Sequence, residues 1–301
     1  MTATAPPAAA RREHATLLLV DYSSLLYRAF HTIPPSVPMH AVHGFLGMLA
    51  RLVTDRPPHA LAVAVDDDWR PAFRVEALPC YKAHRVAAAD AEPDPVAPQE
   101  GLGRALLRAL GVAVIGAAGF EAEDVIATLA ARASEPVEIV SGDRDLFALV
   151  RDPDVIVLYP LSGTSRLLRV DEAEIERRYG IPGRAYLDFA ILRGDPSDGL
   201  PGVAGIGEKT AARLLAEHGS LARVLEASDL PPAVARRLHA ARAYLAAARR
   251  VVPPVADVPL PAVALDVPAR PADPETLGRL AREHRLEGAV MRLARALGTA
   301  I

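Results

Sequence analysis

Acidic side chains stand directly after several short apolar runs of this sequence. Asp21 follows the run TLLLV, Asp66 follows LAVAV, and Asp143 and Asp145 follow VEIV in the string VSGDRDL. Short apolar runs bounded by polar residues are typical of buried strands, and the carboxyl ends of parallel strands share one edge of a sheet. The sequence therefore predicts that these four carboxylates converge, although they are far apart in the chain.

Two further acidic groups are expected at the same edge. Glu121, Glu123 and Asp124 open a predicted helix in the string GFEAEDVIATLA, and Asp195 and Asp198 lie in GDPSDG. Taken singly, an acid at a helix start is usually a cap, and one after a strand is usually a turn residue. Crowded carboxylates, however, repel one another unless cations bind between them. Their coincidence therefore favours a metal site.

Oxygen-only ligands of this kind select hard cations, and we expect Mg²⁺ or Mn²⁺. The nine histidines are scattered and Cys80 is the only cysteine, so the sequence predicts neither a zinc site nor an internal disulfide. Two ions roughly 3.5–4 Å apart could activate a water and stabilise the leaving oxygen of an in-line phosphoryl displacement. This chemistry is hydrolysis without a covalent intermediate.

The string GVAGIGEKTAARLL places Gly202, Gly205 and Gly207 before a helix predicted to begin near Glu208. Glycines let the backbone approach a phosphate, and a helix N-terminus supplies free N–H groups and a positive dipole end. The spacing is not that of a Walker A loop. A structural turn is the plain alternative, but the whole string after a paired-Asp turn favours a loop that grips phosphate.

The apolar runs alternate with stretches of helical period. Strands are predicted over 16–20, 61–65, 112–115, 137–140 and 155–158, and helices over 42–53, 102–110, 122–133 and 146–150. This alternation predicts an α/β fold with a mostly parallel sheet flanked by helices. Short helices are predicted from Pro182 to Arg250, followed by a Pro-rich linker and one amphipathic helix over 275–297.

The overall composition is not that of a strongly basic nucleic-acid binder, because the formal net charge is −3. The objection weakens if many carboxylates bind metal, since a divalent ion reverses the field that a phosphate meets. No apolar run is long enough for a signal peptide or a membrane span. With a single cysteine, the chain is expected in a reducing cytoplasm.

These strings together resemble the FEN-like 5′ nuclease family, and specifically the bacterial 5′→3′ exonuclease domain found in DNA polymerase I and in free-standing proteins. LLLVDYSSLLYRAFH resembles the opening strand with its metal Asp, and PAFRVEALPCYKAHR the FR and YKxxR stretch. FEAEDVIATLA resembles the EADD helix, and IVSGDRDLFALV the GDxDLxQLV motif. GDPSDGLPGVAGIGEKTAARLL resembles the helix-hairpin-helix segment. The resemblance covers about residues 16–250.

The resemblance implies roles for individual residues. The metal-site carboxylates would be Asp21, Asp66, Glu121, Glu123, Asp124, Asp143, Asp145, Asp195 and Asp198. The catalytic residues beside the scissile phosphate would be the basic pair Lys82 and Arg85 with the pair Tyr27 and Arg28. The residues that hold the duplex backbone, with a K⁺ ion, would be Gly202, Gly205, Ile206, Gly207, Lys209 and Thr210.

The implied organisation has four parts. A disordered tail (1–14) precedes a PIN-like metal-dependent nuclease domain (15–181), which includes an arch-like segment at about 82–103. A helix-hairpin-helix DNA-binding domain (182–250) and the linker with the C-terminal helix (251–301) follow. We expect a monomer that acts on DNA with 5′ flaps or ends in replication and repair, using two Mg²⁺ or Mn²⁺ ions and leaving 5′-phosphates. Without polymerase motifs, the nuclease is expected to stand alone.

Three positions depart from the family pattern. Tyr22 stands where Gly is usual and is expected to narrow the floor of the pocket, Glu123 replaces the usual bacterial Asp, and Gly199 replaces Asn. Among the three consecutive acids 66–68, Asp66 is the predicted ligand because it directly ends the strand.

Two other functions stay open. A PIN-type ribonuclease shares the sheet and the acidic centre but has no use for the loop 202–210. A non-catalytic DNA-structure-binding protein would have lost its metal through the departures.

Overall fold

The computed structural model describes residues 16–86 and 94–301. The predicted tail, residues 1–14, and residues 87–93 of the predicted arch-like segment lie outside the described residues. Within the described ranges, no helix is both long enough and apolar enough to cross a lipid bilayer.

A six-stranded sheet forms the centre of the first domain. The strands are β1 (Leu17–Asp21), β2 (Ala60–Ala64), β3 (Ala113–Ile115), β4 (Val137–Val140), β5 (Val155–Ser162) and β6 (Arg166–Val170). Their order is β3-β2-β1-β4-β5-β6, and every pair is parallel except β5 with β6. The predicted α/β fold with a mostly parallel sheet is confirmed.

The edge strand β6 was not predicted from the sequence. Its sequence RLLRV has no long apolar run, and only its last residue is buried. It pairs with β5 through a tight turn at Gly163, where φ is +50°. An edge strand covered on one side only lacks the continuous apolar pattern that marks a buried parallel strand.

α-Helices surround the sheet and form the second domain. Those of the first domain are α1 (Tyr22–Thr32), α2 (His40–Asp55), α3 (Ala72–Ala77), α4 (Ala97–Leu110), α5 (Ala122–Arg132) and α6 (Glu172–Tyr179). Those that follow are α7 (Tyr186–Arg193), α8 (Glu208–His218), α9 (Leu221–Glu226), α10 (Pro232–Ala240), α11 (Arg242–Val251), α12 (Pro274–Glu283) and α13 (Glu287–Leu297). The predicted helix over 146–150 is a 3₁₀ turn, Asp145–Leu149.

Alternation along β1 divides the core into two layers. Leu17 and Leu19 face the layer that contains α5 and the helices α7 to α11. Leu18 and Val20 face the layer formed by α1, α2, α4, α12 and α13. Successive side chains of a strand point to opposite faces, so a strand covered on both sides is apolar throughout. The uninterrupted run LLLV is explained by this double coverage.

The C-terminal part of the chain returns to the first domain. Residues 252–273 run along it as an extended strap: Leu61 N–H donates to Leu265 O at 2.7 Å, and Ala60 bridges to Asp266. The single helix predicted over 275–297 is wrong, because the structure has two helices, α12 and α13. Between them Arg285 takes a left-handed conformation (φ +57°), and Leu286 is fully buried.

Tyr22 does not narrow the floor of the pocket, contrary to the expectation from the sequence. Its ring is fully buried and packs edge-on against Phe45, with ring centroids 4.8 Å apart. Its hydroxyl donates to Glu100 O at 2.8 Å, and it lies against Gly103 of α4. Tyr22 therefore fixes α4 to the end of β1 from the core side.

This packing predicts that Gly103→Ala destabilises the fold. A Cβ on Gly103 would lie 2.0 Å from the Tyr22 hydroxyl oxygen, so the tyrosine or α4 must move. Overpacking of this kind costs about 1–3 kcal/mol, and urea unfolding measures it. The double variant Tyr22→Phe with Gly103→Ala is expected to recover most of the loss, because the clashing oxygen is gone. Equal destabilisation of the single and double variants would contradict this account.

Candidate active site

The ends of β1, β2 and β4 bring three acids to one edge of the sheet. Asp21 ends β1, Asp66 follows β2 and Asp143 follows β4, and β1 lies between the other two strands. The hydroxyl of Ser141 donates to Asp21 Oδ2 at 2.6 Å, and the hydroxyl of Ser23 donates to Asp66 Oδ2 at 2.6 Å. These bonds hold the carboxylates over the strand ends.

Asp66 also connects β2 to the acidic helix α5. Its Oδ1 accepts a hydrogen bond from Ala122 N–H at 2.8 Å, at the first residue of α5. Its neighbours have other partners: Asp67 pairs with Arg104, and Asp68 accepts from Arg70 N–H. Among the three consecutive acids, Asp66 is the one bonded to the starts of both α1 and α5, which supports its choice as the predicted ligand.

The environment of Asp21 disfavours its charge. Burial, together with repulsion from the neighbouring acids Asp66 and Asp143, raises the pKa of Asp21 to about 7. The hydrogen bonds from Ser141 and from Ser24 N–H oppose this shift without reversing it. A carboxylate held here close to other acids gains from a nearby cation.

Asp145, Asp195 and Asp198 lie beside Asp143. Loss of hydration raises the pKa values of Asp143 and Asp145, and repulsion from Asp198 and Asp195 adds to both shifts. The turn of Asp195 and Asp198 reaches this place because Gly199 has φ +70° and a Cβ there would lie 2.4 Å from Cys80 O. The departure at Gly199 is thus explained by a close approach of two backbones.

The acids at the start of α5 surround the buried side chain of Arg74. This guanidinium is 0% exposed, and it lies 2.8 Å from Glu123 Oε1, 2.6 Å from Asp124 Oδ1 and in contact with Glu121. Burial alone would lower the pKa of Arg74, but the three acids raise it overall. Arg74 therefore stays charged and neutralises part of this helix start.

Glu123 and Asp124 differ in how much of each carboxylate is already bonded. Asp124 is fully buried, and besides its two bonds to Arg74 it accepts from Glu121 N–H and Val255 N–H. Glu123 is partly exposed, and burial and its acidic neighbours raise its pKa well above the ordinary value although Arg74 opposes them. Glu123 can turn towards an ion, whereas Asp124 would have to give up these bonds.

Lys82 and Arg85 enter the acidic edge from the opposite side. Lys82 Nζ contacts Glu121 and lies 3.8 Å from Asp198 Oδ1, and Arg85 Nη2 donates to the same oxygen at 3.1 Å. Burial would lower the pKa of Lys82, but Glu121, Asp198 and Glu123 raise it, so the ammonium stays charged. The structure thus places the predicted basic pair among the predicted acids.

Tyr27 and Arg28 lie on α1, on different sides of the site. The Tyr27 hydroxyl donates to Asp94, within the arch-like segment. Arg28 lies against the loop before Asp143, where a Cβ on Gly142 would lie 3.1 Å from Arg28 Nη2. Arg28 Nε is buried and has no hydrogen-bond partner among the described residues. A buried N–H group without a partner is able to donate to an incoming anion.

The glycine-rich loop lies before α8, in the second domain. Gly202 (φ +68°) passes close to Arg193 O, where a Cβ would lie at 2.4 Å, and Ile206 is buried beneath the loop. Gly207 is the N-cap of α8 and has open space around it. Lys209 is exposed and Thr210 half-buried in the first turn, so free N–H groups and a cation face solvent together.

Two arginines of these sites were not singled out from the sequence. Arg74 belongs to the FR string, but a lone arginine in a short helix carries no signal of three acidic partners. Arg237 of α10 covers the glycine loop, and its Nη1 donates to Gly205 O at 2.9 Å. In the sequence, only the basic pair of Arg236 and Arg237 indicates a cation near this loop.

The donor atoms at the acidic edge are of the kind that a hard divalent cation prefers. These donors are carboxylate oxygens, and mutual repulsion contributes to their raised pKa values. In the part of the chain that the structure describes, no three acidic, His or Cys side chains stand close enough in this arrangement to hold one ion together. The cations between the acids are Lys82 and Arg74, so a complete ligand set requires side chains such as Asp143 to turn.

Sequence profiles of known families match both domains. Residues 16–180 match the profile described as 5′-3′ exonuclease, N-terminal resolvase-like domain, and residues 181–275 the profile described as 5′-3′ exonuclease, C-terminal SAM fold. The sheet and the domain that follows it are those of a phosphodiester hydrolase. The chain belongs to the 5′-3′ exonuclease family.

Relatives cover almost the whole chain. A 5′-3′ exonuclease of Streptomyces coelicolor is 50% identical over 295 residues, which are 92% of this chain and 98% of that protein. A 5′-3′ exonuclease of Mycobacterium tuberculosis is 44% identical over 94% of this chain and 98% of that protein. DNA polymerase I of Mycobacterium bovis is 40% identical over 93% of this chain but only 32% of the polymerase.

Solved structures share the fold at low sequence identity. The flap endonuclease of bacteriophage T5, in complex with DNA and metal ions, has a TM-score of 0.66 and 17% identity, covering 94% of this chain and 99% of that chain. The catalytic core of Rad2 in complex with a DNA substrate has a TM-score of 0.58 and 17% identity, covering 95% and 93%. These likenesses show that the fold extends across both domains.

The raised pKa of Asp21 predicts a pH-dependent effect of Asp21→Asn. Because this pKa lies near 7 in the folded chain and near 3.8 in the unfolded chain, ionisation of Asp21 favours unfolding as the pH rises from about 4 to above 7. Without divalent ions, the variant is therefore expected to be more stable than the parent at pH 8, by up to about 4 kcal/mol. The advantage is expected to shrink as the pH falls towards 4.

Urea unfolding in EDTA at several pH values measures this effect. Asp229→Asn, at an exposed position, is the matched control and should change little at any pH. A variant at Asp21 that is less stable than the parent at pH 8 would show that its hydrogen bonds outweigh the repulsion.

The buried position of Arg74 predicts a large loss of stability in Arg74→Gln. Removing the guanidinium leaves three acids at the start of α5 without their buried cation, which costs about 3–5 kcal/mol. The loss is expected to be smaller at pH 5 than at pH 7.5, since Glu123 is protonated more readily at the lower pH. Urea unfolding at both pH values checks it.

Arg56→Gln is the matched control, because Arg56 makes two bonds to Glu138 but is partly exposed. An exposed pair contributes about 0–1 kcal/mol. Equal losses in the two variants would mean that the burial of Arg74 is not what makes it important.

Proposed function

We propose that the chain hydrolyses DNA phosphodiester bonds at 5′ flaps and 5′ ends in replication and repair, and leaves 5′-phosphates. The observation that carries this proposal is that Glu121 and Asp198 lie around Lys82, while Asp21 at the end of β1 interacts with Asp66 and Asp143 at the two neighbouring strand ends. Acids can hold cations, and a lysine among them can neutralise charge that develops on a phosphate. The relatives named 5′-3′ exonuclease and the DNA complexes of proteins with this fold support the same substrate.

We propose Mg²⁺ or Mn²⁺ as the cofactor, with two ions at the acidic edge. The proposed ligands are Asp21, Asp66, Glu123, Asp143, Asp145, Asp195 and Asp198. Bound ions of this kind lower the pKa of a water and stabilise charge on the leaving oxygen. Proteins with this fold bind divalent metal ions, which supports the proposal. We place Glu121 and Asp124 beside the ligands, because their oxygens already accept bonds from Lys82, Tyr81 and Arg74.

The basic side chains have a separate task in this proposal. Lys82 and Arg85 would donate to the scissile phosphate in exchange for their bonds to Asp198 and Glu121. Arg28 would donate from its unpartnered Nε beside the loop that carries Asp143. Tyr27 would fix the arch-like segment through Asp94. These contacts orient the phosphate and offset its charge, which is where most of such catalysis lies.

The second domain would hold the duplex away from the cut. We propose that the N–H groups around Gly205, Gly207 and Lys209 contact the phosphate backbone, with a K⁺ ion at the same loop and Thr210 beside it. Backbone contacts position DNA without reading its sequence.

Every group named in this proposal is in one chain, so we propose that a monomer suffices. As its substrates are replication and repair intermediates, we place it in the cytoplasm.

Asp143→Asn tests the enzyme proposal most directly. With the full chain, a 5′-flap duplex and Mg²⁺, we expect at least ~10²-fold slower cleavage, the scale seen when one electrostatic stabiliser of a transition state is removed. Binding of the flap, measured by fluorescence anisotropy with Ca²⁺ in place of Mg²⁺, is expected to change little. Asp257→Asn, an exposed acid of the strap, serves as the control and should cleave normally.

The same assay separates the two alternatives. Cleavage of a matched RNA flap but not the DNA flap would favour a PIN-type ribonuclease. Normal binding of the DNA flap without cleavage by the parent chain, together with no heat on titration with Mn²⁺, would favour a non-catalytic binder. Either result would overturn the proposal.

A further inference from the structure

A large aromatic side chain stands exposed beside the acidic edge. Trp69 is 42% exposed, and it lies three residues after Asp66 in the loop between β2 and α3. No aromatic ring of the described residues stacks on it. An exposed ring of this size offers a flat apolar face to a ligand.

The loop that carries Trp69 is tied to both sides of the site. Asp68 N–H donates to Phe120 O at 3.2 Å, directly before Glu121. Arg70 Nε donates to Tyr81 O at 2.7 Å, directly before Lys82. The two residues that flank Trp69 are therefore bonded to the two segments that supply an acid and the lysine of the site.

The same bonds restrict the movement of the loop. Arg70 N–H donates to Asp68 Oδ1 at 3.1 Å across Trp69, and Arg70 Nη2 donates to Pro79 O at 3.1 Å. A side chain on a backbone fixed in this way loses little conformational freedom when it binds. Tryptophan adds large contact area with only two rotatable side-chain bonds.

We propose that Trp69 is a base-stacking residue, which takes the face of one nucleobase close to the scissile phosphate. Three residues of chain span at most about 11 Å from Asp66. This distance equals about three nucleotides along a stacked strand. Stacking suits an enzyme without sequence preference, because every base has an aromatic face. The inference rests on the proposed DNA substrate and adds to it a contact with a base rather than with phosphate.

The only tryptophan of the chain is Trp69, so its fluorescence reports on this residue alone. The full chain is titrated with a 5′-flap duplex in EDTA, where hydrolysis cannot occur. Stacking is expected to quench the indole emission as the complex forms. The titration is repeated with duplexes that carry one abasic site, moved stepwise through the three nucleotides on each side of the junction. Quenching is expected to disappear at one or two adjacent positions.

Substitutions at Trp69 provide the second measurement. Loss of one stacked base corresponds to about 5- to 150-fold weaker interaction. Trp69→Ala is expected to raise KM for the flap by this factor, with kcat changed less than about 3-fold, and Trp69→Phe is expected to recover most of the affinity. Met291→Ala, an exposed apolar residue on α13, is the matched control and should leave KM unchanged.

Three results would overturn the inference: no quenching while anisotropy shows that the flap is bound, equal quenching with every abasic duplex, or equal KM values for Trp69→Phe and Trp69→Ala. The fluorescence titration needs neither metal nor cleavage. Failure of the stacking inference is therefore distinguishable from failure of the proposed hydrolysis, which the Asp143→Asn assay tests.

Discussion

Repulsion between carboxylates gathered at one edge of the sheet is the constraint on which the rest of this structure depends. Parallel strands deliver Asp21, Asp66 and Asp143 to the same place, and the start of α5 adds more acids. Isolated buried charges are strongly unfavourable, so such a cluster persists only with buried cations or with part of its protons retained. The chain uses both solutions, since Arg74 and Lys82 lie between the acids and the pKa of Asp21 is raised to about 7.

The ion cluster around Arg74 also connects the two domains. Arg74 Nε donates to Val251 O at 3.0 Å, at the end of the last helix of the second domain. Asp124, which pairs with Arg74, accepts from Val255 N–H at 2.8 Å in the strap that follows. One buried ion cluster therefore balances the acids and fixes the position of the helical domain. A site that must align a duplex with its reacting groups benefits from this shared anchor, because small misplacements reduce rates strongly.

Much of the fold could be predicted from local patterns, whereas the bonding of the site could not. Apolar runs and helical periods predicted five of the six strands, and the position of acids after those runs predicted at which edge of the sheet Asp21, Asp66 and Asp143 would lie. The partners of Arg74 lie 47 and 177 positions away in the chain, and no local period encodes such distances. The contacts of Tyr22 could not be predicted from local patterns either. Tyr22 directly follows a site residue, yet the first turn of α1 directs its side chain into the core towards Gly103. The sequence predicts a Pro-rich linker where the structure has the ordered strap, because extended segments that bond through their backbones leave little trace in side-chain type.

The net charge of −3 opposes a polyanionic substrate at long range, but the position of the cations matters more near the site. Lys82 is bonded to Glu121 and lies near Asp198, so it cannot donate fully to a phosphate while these pairs persist. Another positive charge close to Glu121 and Asp198 would weaken both of their ion pairs with Lys82. The ammonium group of Lys82 would then be free to bind a phosphate. On the proposed function, a cation at the acids and a phosphate at Lys82 would therefore favour each other's binding. In such a site the local exchange of ion pairs, rather than the total charge of the chain, decides whether a phosphodiester is accepted.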